Sequence, residues 1–196
     1  KHSYKLPIPA EFNFAYDVID ARALAANKTA LIAIEPNGKT HREVSYADLS
    51  RQSGQFANAL RNLGLHKGDF ACVVIGRIPE WYGVLFGCMK LGVVSMPGTN
   101  LLTGKDIAYR IQQSGAKAVI VTAEHTEKVD AIRGECPTLK HLIVIGSENL
   151  GKDWLDFHTL CEAESPDIDV ASVGPFKSTD MMMAYFTSGT TALPKM

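Results

Sequence analysis

At 196 residues with 46% apolar content, the chain is long enough to bury one or two cores and is not a disordered tail. A formal net charge of -1 gives no general attraction for phosphate backbones or anionic membranes, so nucleic acid is not an expected partner. No run approaches the ~18 continuous apolar residues of a membrane span, and the first residues lack the apolar core of a signal peptide.

In chain order, "ALIAIE" (Ala30–Glu35), the turn "PNGK" and "REVS" predict a small antiparallel hairpin over 28–45. Ser45 with Asp48 three residues on is a capping box, and Leu49, Phe56, Ala59, Leu60 and Leu63 keep one helical face apolar until Gly64. "FACVVI" (Phe70–Ile75) is a continuous apolar strand. Pro79 opens a helix in which Trp81, Val84, Leu85, Cys88 and Leu91 recur at helical spacing up to Gly92, and "VVSM" follows as a strand. The unit then recurs: Thr103 and Asp106 cap a helix that ends near Gly115, "KAVIVT" is a strand, a helix leads to Pro137, and "HLIVI" is a strand.

Uninterrupted apolar strands alternating with helices predict an α/β fold over 46–150, a parallel sheet with helices on both faces. Residues 151–180, acidic and punctuated by Pro166, Gly174 and Pro175, read as a short helix and a linker. "MMMAYF" (Met181–Phe186) reads as one more buried strand, leading into a loop over 181–196 rich in glycine and hydroxyls.

Cys72, Cys88, Cys136 and Cys161 are widely spaced, without CxxC pairs or zinc-type histidine spacing, and read as reduced core thiols. His66, His125, His141 and His158 carry no metal spacing and are assigned no catalytic role. Arg77 follows a strand and faces either solvent or a ligand. The Met96–Gly104 loop reads as a structural turn.

The closing loop, "YFTSGTTALPKM", follows a strand, the edge at which open α/β sheets bind ligands, and its N–H and O–H groups suit phosphate oxygens. It is not a Walker loop, because Pro194 precedes Lys195 and Met196 follows it. The stretch resembles the phosphate-binding signature of the adenylate-forming (AMP-binding) superfamily, Thr-Ser-Gly-Thr/Ser-Thr-Gly-x-Pro-Lys. "FNFAYDVID", "RIPEW", "CMKLGVVSMPGT" and "LTGKDIAYRIQQSGAKAVIV" resemble the amino-terminal portion of its medium-chain acyl-CoA synthetases.

The resemblance implies activation of a carboxylic acid by ATP with Mg²⁺ to an acyl-adenylate, followed by transfer to coenzyme A. It carries triphosphate binding to Thr187, Ser188, Gly189, Thr190 and Thr191, with Ala192 and Leu193 completing the loop, Pro194 shaping the turn and Lys195 supplying charge. Ala192 stands where the family has glycine, so its Cβ either crowds the phosphates or is tolerated at negative φ. In the family the adenine-binding, acidic and carboxy-terminal catalytic groups follow this loop. The chain is therefore expected to be an incomplete amino-terminal AMP-binding domain, inactive alone and prone to self-association through its Met181–Phe186 edge. It is assigned to the cytoplasm, or to the mitochondrial matrix after removal of a leader. The alternative is a truncated, non-catalytic paralogue serving as a weak nucleotide-binding or interaction module.

Overall fold

The computed structural model describes residues 7–26, 28–35, 37–147, 150–187 and 196. A π-helical turn, Ala15–Asp20, runs into α1 (Ala21–Ala25), and the antiparallel hairpin follows as β1 (Thr29–Ile34) and β2 (His41–Ser45). Ser45 ends β2 and caps α2 (Tyr46–Asn62). Its hydroxyl accepts from the Asp48 N–H at 3.1 Å, and the Asp48 carboxylate accepts from the Ser45 N–H at 3.1 Å, so one residue closes the strand and opens the helix.

The main sheet is built from β3 (Phe70–Val74), β4 (Val94–Pro97), β5 (Ala118–Thr122), β6 (His141–Ile145) and β7 (Trp154–Asp156). All pairs are parallel, in the order β4-β3-β5-β6-β7. Between these strands run α3 (Glu80–Leu91), α4 (Gly104–Ser114) and α5 (Thr126–Ile132), and α6 (Phe157–Glu162) and α7 (Val170–Val173) come after them. Gly92 lets α3 turn directly into β4 because it adopts φ 77°, a left-handed conformation that a side chain disfavours.

Alternation along the strands divides the core into two layers. Ala71, Val73, Ala118, Ile120, Ile143 and Ile145 face α2, α3 and α6 with Phe56, Leu60, Val84 and Phe157. Cys72, Val74, Val119, Val121 and Val144 face α4 and α5 with Ile107, Ile111 and Val129. Both faces of the sheet are covered, which is why its strands are apolar without interruption.

Connections leave β3 and its neighbour β5 toward opposite faces, α3 on one and α5 on the other. A crevice therefore opens at the carboxyl ends of these two strands.

Two stretches differ from the sequence pattern. Residues 154–156 form the fifth strand inside the segment read as helix and linker; three residues are too short for a periodic signal, and Trp154 joins the sheet through Leu142. "MMMAYF" is not a buried strand. Its contact with the sheet is a single parallel bridge from Met183 to Ser95, and the Ala184 N–H donates to the Ser95 carbonyl at 3.0 Å. Met181, Met182 and Tyr185 are 58%, 42% and 54% exposed, and only Ala184 is buried. The apolar run signals contact with an apolar surface, but among the described residues only Ala184 of it is buried, with Met183 and Phe186 packed part-buried against the core.

Candidate functional site

The parallel bridge between Met183 and Ser95 fixes the direction of the closing segment. It runs alongside β4 toward the carboxyl edge of the sheet and delivers the exposed Thr187 there. Phe186 anchors the path against α4, with its ring 5.0 Å from the Arg110 guanidinium and 6.0 Å from the Tyr109 ring. Ser188, Gly189, Thr190, Thr191, Ala192, Leu193, Pro194 and Lys195 lie outside the described residues, and Thr187 is the described member of the proposed phosphate loop.

The same edge carries a cleft of about 850 Å³. Its walls are the β1 residues Leu31–Ile34, the β3 exit Ile75–Pro79, Trp81 and Tyr82 of α3, and Thr99 and Asn100. Arg77 lines it, exposed and without an ion-pair partner among the described residues. An aromatic and aliphatic wall beside an uncompensated guanidinium suits a ligand with one apolar and one anionic part. Gly76 lets the Asn100 side chain approach closely, since a Cβ there would lie 3.2 Å from the Asn100 side-chain nitrogen.

The loop carrying Thr99 and Asn100 is held at both ends. The Gly98 N–H donates to the Val73 carbonyl at 2.8 Å, and Thr103 caps α4 through Asp106. These contacts make the loop a structural turn that also forms a cleft wall. The sequence contained the residues but no signal that the hairpin would cover them.

Of the four histidines considered, His125 is buried at the carboxyl end of β5, and burial, with the Lys128 charge nearby, holds its imidazole below the usual histidine range. Among the described residues no group of three His, Cys, Asp or Glu side chains is placed to hold a metal ion. The four thiols are buried and unpaired. No helix among the described residues is long and apolar enough to cross a membrane.

Comparison with known proteins agrees with this geometry. The profile of the family described as "AMP-binding enzyme" matches residues 20–196. The chain is 37% identical over 203 residues to the mouse mitochondrial acyl-coenzyme A synthetase ACSM1, covering 96% of this chain and 33% of the relative. It is 40% identical over 197 residues to rat mitochondrial ACSM4 (97% and 33%) and 39% over 196 to human mitochondrial ACSM2A (96% and 33%). Among solved structures, the anthranilate CoA ligase AuaEII with anthranoyl-AMP superposes with a TM-score of 0.84 at 28% identity, over 95% of this chain and 34% of that one. An acyl-CoA synthetase of Brucella canis gives 0.81 at 26%, over 94% and 32%. The chain thus spans about a third of the length of the curated relatives it matches, and it belongs to the AMP-binding enzyme family of adenylate-forming proteins.

Proposed function

We propose that this chain is the amino-terminal part of an AMP-forming acyl-CoA synthetase acting on a carboxylic acid of medium length. The observation that supports the reading is the path of residues 183–187, which leads Thr187, the first residue of "TSGTTALPK", toward the carboxyl edge of the parallel sheet, the edge that also carries the Arg77 cleft. At such an edge a loop of hydroxyls and N–H groups from Thr187 to Thr191, with Lys195, grips a triphosphate and spreads its charge while the carboxylate attacks the α-phosphorus and pyrophosphate leaves. The adenylate formed is then opened by the thiol of coenzyme A, releasing AMP. Magnesium enters with the nucleotide as part of the substrate, and no step is assigned to a protein-held metal.

In this reading residues 1–196 make one incomplete AMP-binding domain: a hairpin over 28–45, the sheet over 46–150, a connecting region over 151–180, and the final segment and phosphate loop over 181–196. The mitochondrial names of the relatives support a mitochondrial rather than a cytoplasmic location. Exposed Met181, Met182 and Tyr185 support self-association of the isolated chain.

The test is AMP release with ATP, magnesium, coenzyme A and acids of C2 to C12. A protein extended to the relatives' full length turns over in an acid-dependent way, whereas residues 1–196 alone do not. In the extended protein, Lys195→Ala weakens ATP use by roughly 1–3 kcal/mol, the range for losing a charge-assisted contact. Ala192→Gly improves ATP use if the methyl crowds the phosphates. Acid-dependent AMP release by residues 1–196 alone, or unchanged ATP kinetics in Lys195→Ala, overturns the assignment.

A further inference from the structure

The cleft wall formed by Thr99 and Asn100 is tied to a second element by contacts that phosphate binding does not require. Lys128, on the first turn of α5, donates from its ammonium to the Leu102 carbonyl at 3.1 Å, and the same nitrogen lies 3.2 Å from His125 Nδ1. An ammonium has donors only, so Nδ1 accepts and the imidazole proton sits on Nε2. Nε2 is buried without a hydrogen-bond partner, and the nearest acid, Glu124 Oε1, is 3.8 Å away. The imidazole is 2% exposed, so it is a fixed acceptor with no room to rotate toward solvent.

Each alternative for Lys128 is poorer. In the extended, solvated rotamer it would leave the Leu102 carbonyl and the buried Nδ1 both unsatisfied, and stranding two acceptors costs more than one exposed ammonium gains from water. The target carbonyl is also well placed. Leu102 precedes the Thr103 cap of α4 and follows the cleft-lining pair, its own N–H donating to Thr99 at 3.2 Å. Leu101, one residue earlier, is 88% exposed, so the loop is held by the Leu102 side chain against the core and by the polar contacts at its two ends.

We infer that Lys128 and His125 act together as a clamp that positions loop 98–103, and through it the Thr99 and Asn100 wall of the cleft. Lys128 supplies the bond to the loop, and His125 holds the ammonium in the one rotamer that reaches it. Both are positioning residues; neither faces the cleft. The inference goes beyond the phosphate-loop reading and does not depend on it, since every group involved lies within 98–128.

Amide hydrogen exchange on residues 1–196 tests it without nucleotide or acid. Lys128→Met and His125→Leu are expected to speed exchange across 98–103 by roughly tenfold or more, the effect of losing one charge-assisted bond. The peptides covering β3 and β5 keep their wild-type rates. His125→Asn, which returns an acceptor near the position of Nδ1, restores slow exchange, and the Lys128→Met/His125→Leu double variant is no faster than either single one. Should Lys128→Met fail to fold, His125→Leu and its Asn counterpart carry the comparison. Wild-type exchange at 98–103 in a folded clamp variant, or acceleration spread equally over β3 and β5, overturns the clamp. Neither result bears on ATP use, so failure here is distinguishable from failure of the synthetase reading.

Discussion

The ammonium of Lys90 lies 2.8 Å from Asp20 Oδ1 although the lysine is only 2% exposed. It also donates to the Ser50 carbonyl at 3.0 Å, and the Tyr16 hydroxyl donates to the Lys90 carbonyl at 2.9 Å. One buried cation on α3 thereby joins the amino-terminal turn, α2 and α3. Burial draws its pKa below the usual lysine range, and the Asp20 contact opposes that shift.

Removing Asp20 strands this charge. Asp20→Ala is expected to destabilise the chain by about 2–4 kcal/mol, whereas the Asp20→Ala/Lys90→Met double variant costs clearly less than the two single changes added together. Urea denaturation of the four proteins reads the coupling, and strict additivity would show that the pair is not one unit.

Gly54 permits a second long-range contact. A Cβ there would collide with the Pro166 carbonyl, on a stretch that α2 holds through bonds from Asn58 to the Ser165 and Asp167 carbonyls at 2.7 and 2.9 Å. The obstacle is backbone, which cannot swing aside like a side chain. Gly54→Ala should therefore cost roughly 1–3 kcal/mol despite the better helix propensity of alanine, seen as a lower urea midpoint. An unchanged or raised midpoint would mean that residues 165–167 are free to move away.

The thiols are expected to be unreactive in the folded chain. Burial pushes Cys72, Cys88 and Cys161 up to about 12 and raises Cys136, so almost no thiolate exists at neutral pH. A disulfide reagent should label native protein slowly and all four cysteines rapidly in denaturant. Fast labelling of a single native thiol would contradict this burial.

Acidification should weaken the fold before the carboxylates titrate. Desolvation holds both His125 and His141 below the ordinary value of 6.5, with Lys128 and Lys140 adding repulsion and Glu124 opposing at His125. The unfolded chain therefore binds protons more readily than the folded one. The stability is present above about pH 6.5 and declines as pH falls below it. Unfolding free energies measured between pH 7.5 and 5 follow the decline, and His125→Asn should flatten it. A wild-type profile that is level over this range would count against the buried, neutral imidazole.

What the sequence determined by itself is local. Ser45 with Asp48 and Thr103 with Asp106 announce two helix starts, because a cap is satisfied within four residues and needs nothing from elsewhere. The uninterrupted apolar runs at 70–75, 117–122 and 141–145 announce a doubly covered parallel sheet, and the family signature announces itself in nine consecutive residues. The order of the strands, the entry of Trp154 into the sheet and the partial docking of Met181–Phe186 were decided by the tertiary structure. Each depends on which surface remains uncovered once the other elements have packed, a quantity no local pattern encodes. The same holds for Lys90 with Asp20 and for Lys128 with His125 and Leu102. Read along the chain, nothing marks these residues as partners, and only folding brings an acceptor within 3.2 Å of each ammonium and removes the water that would otherwise take its place.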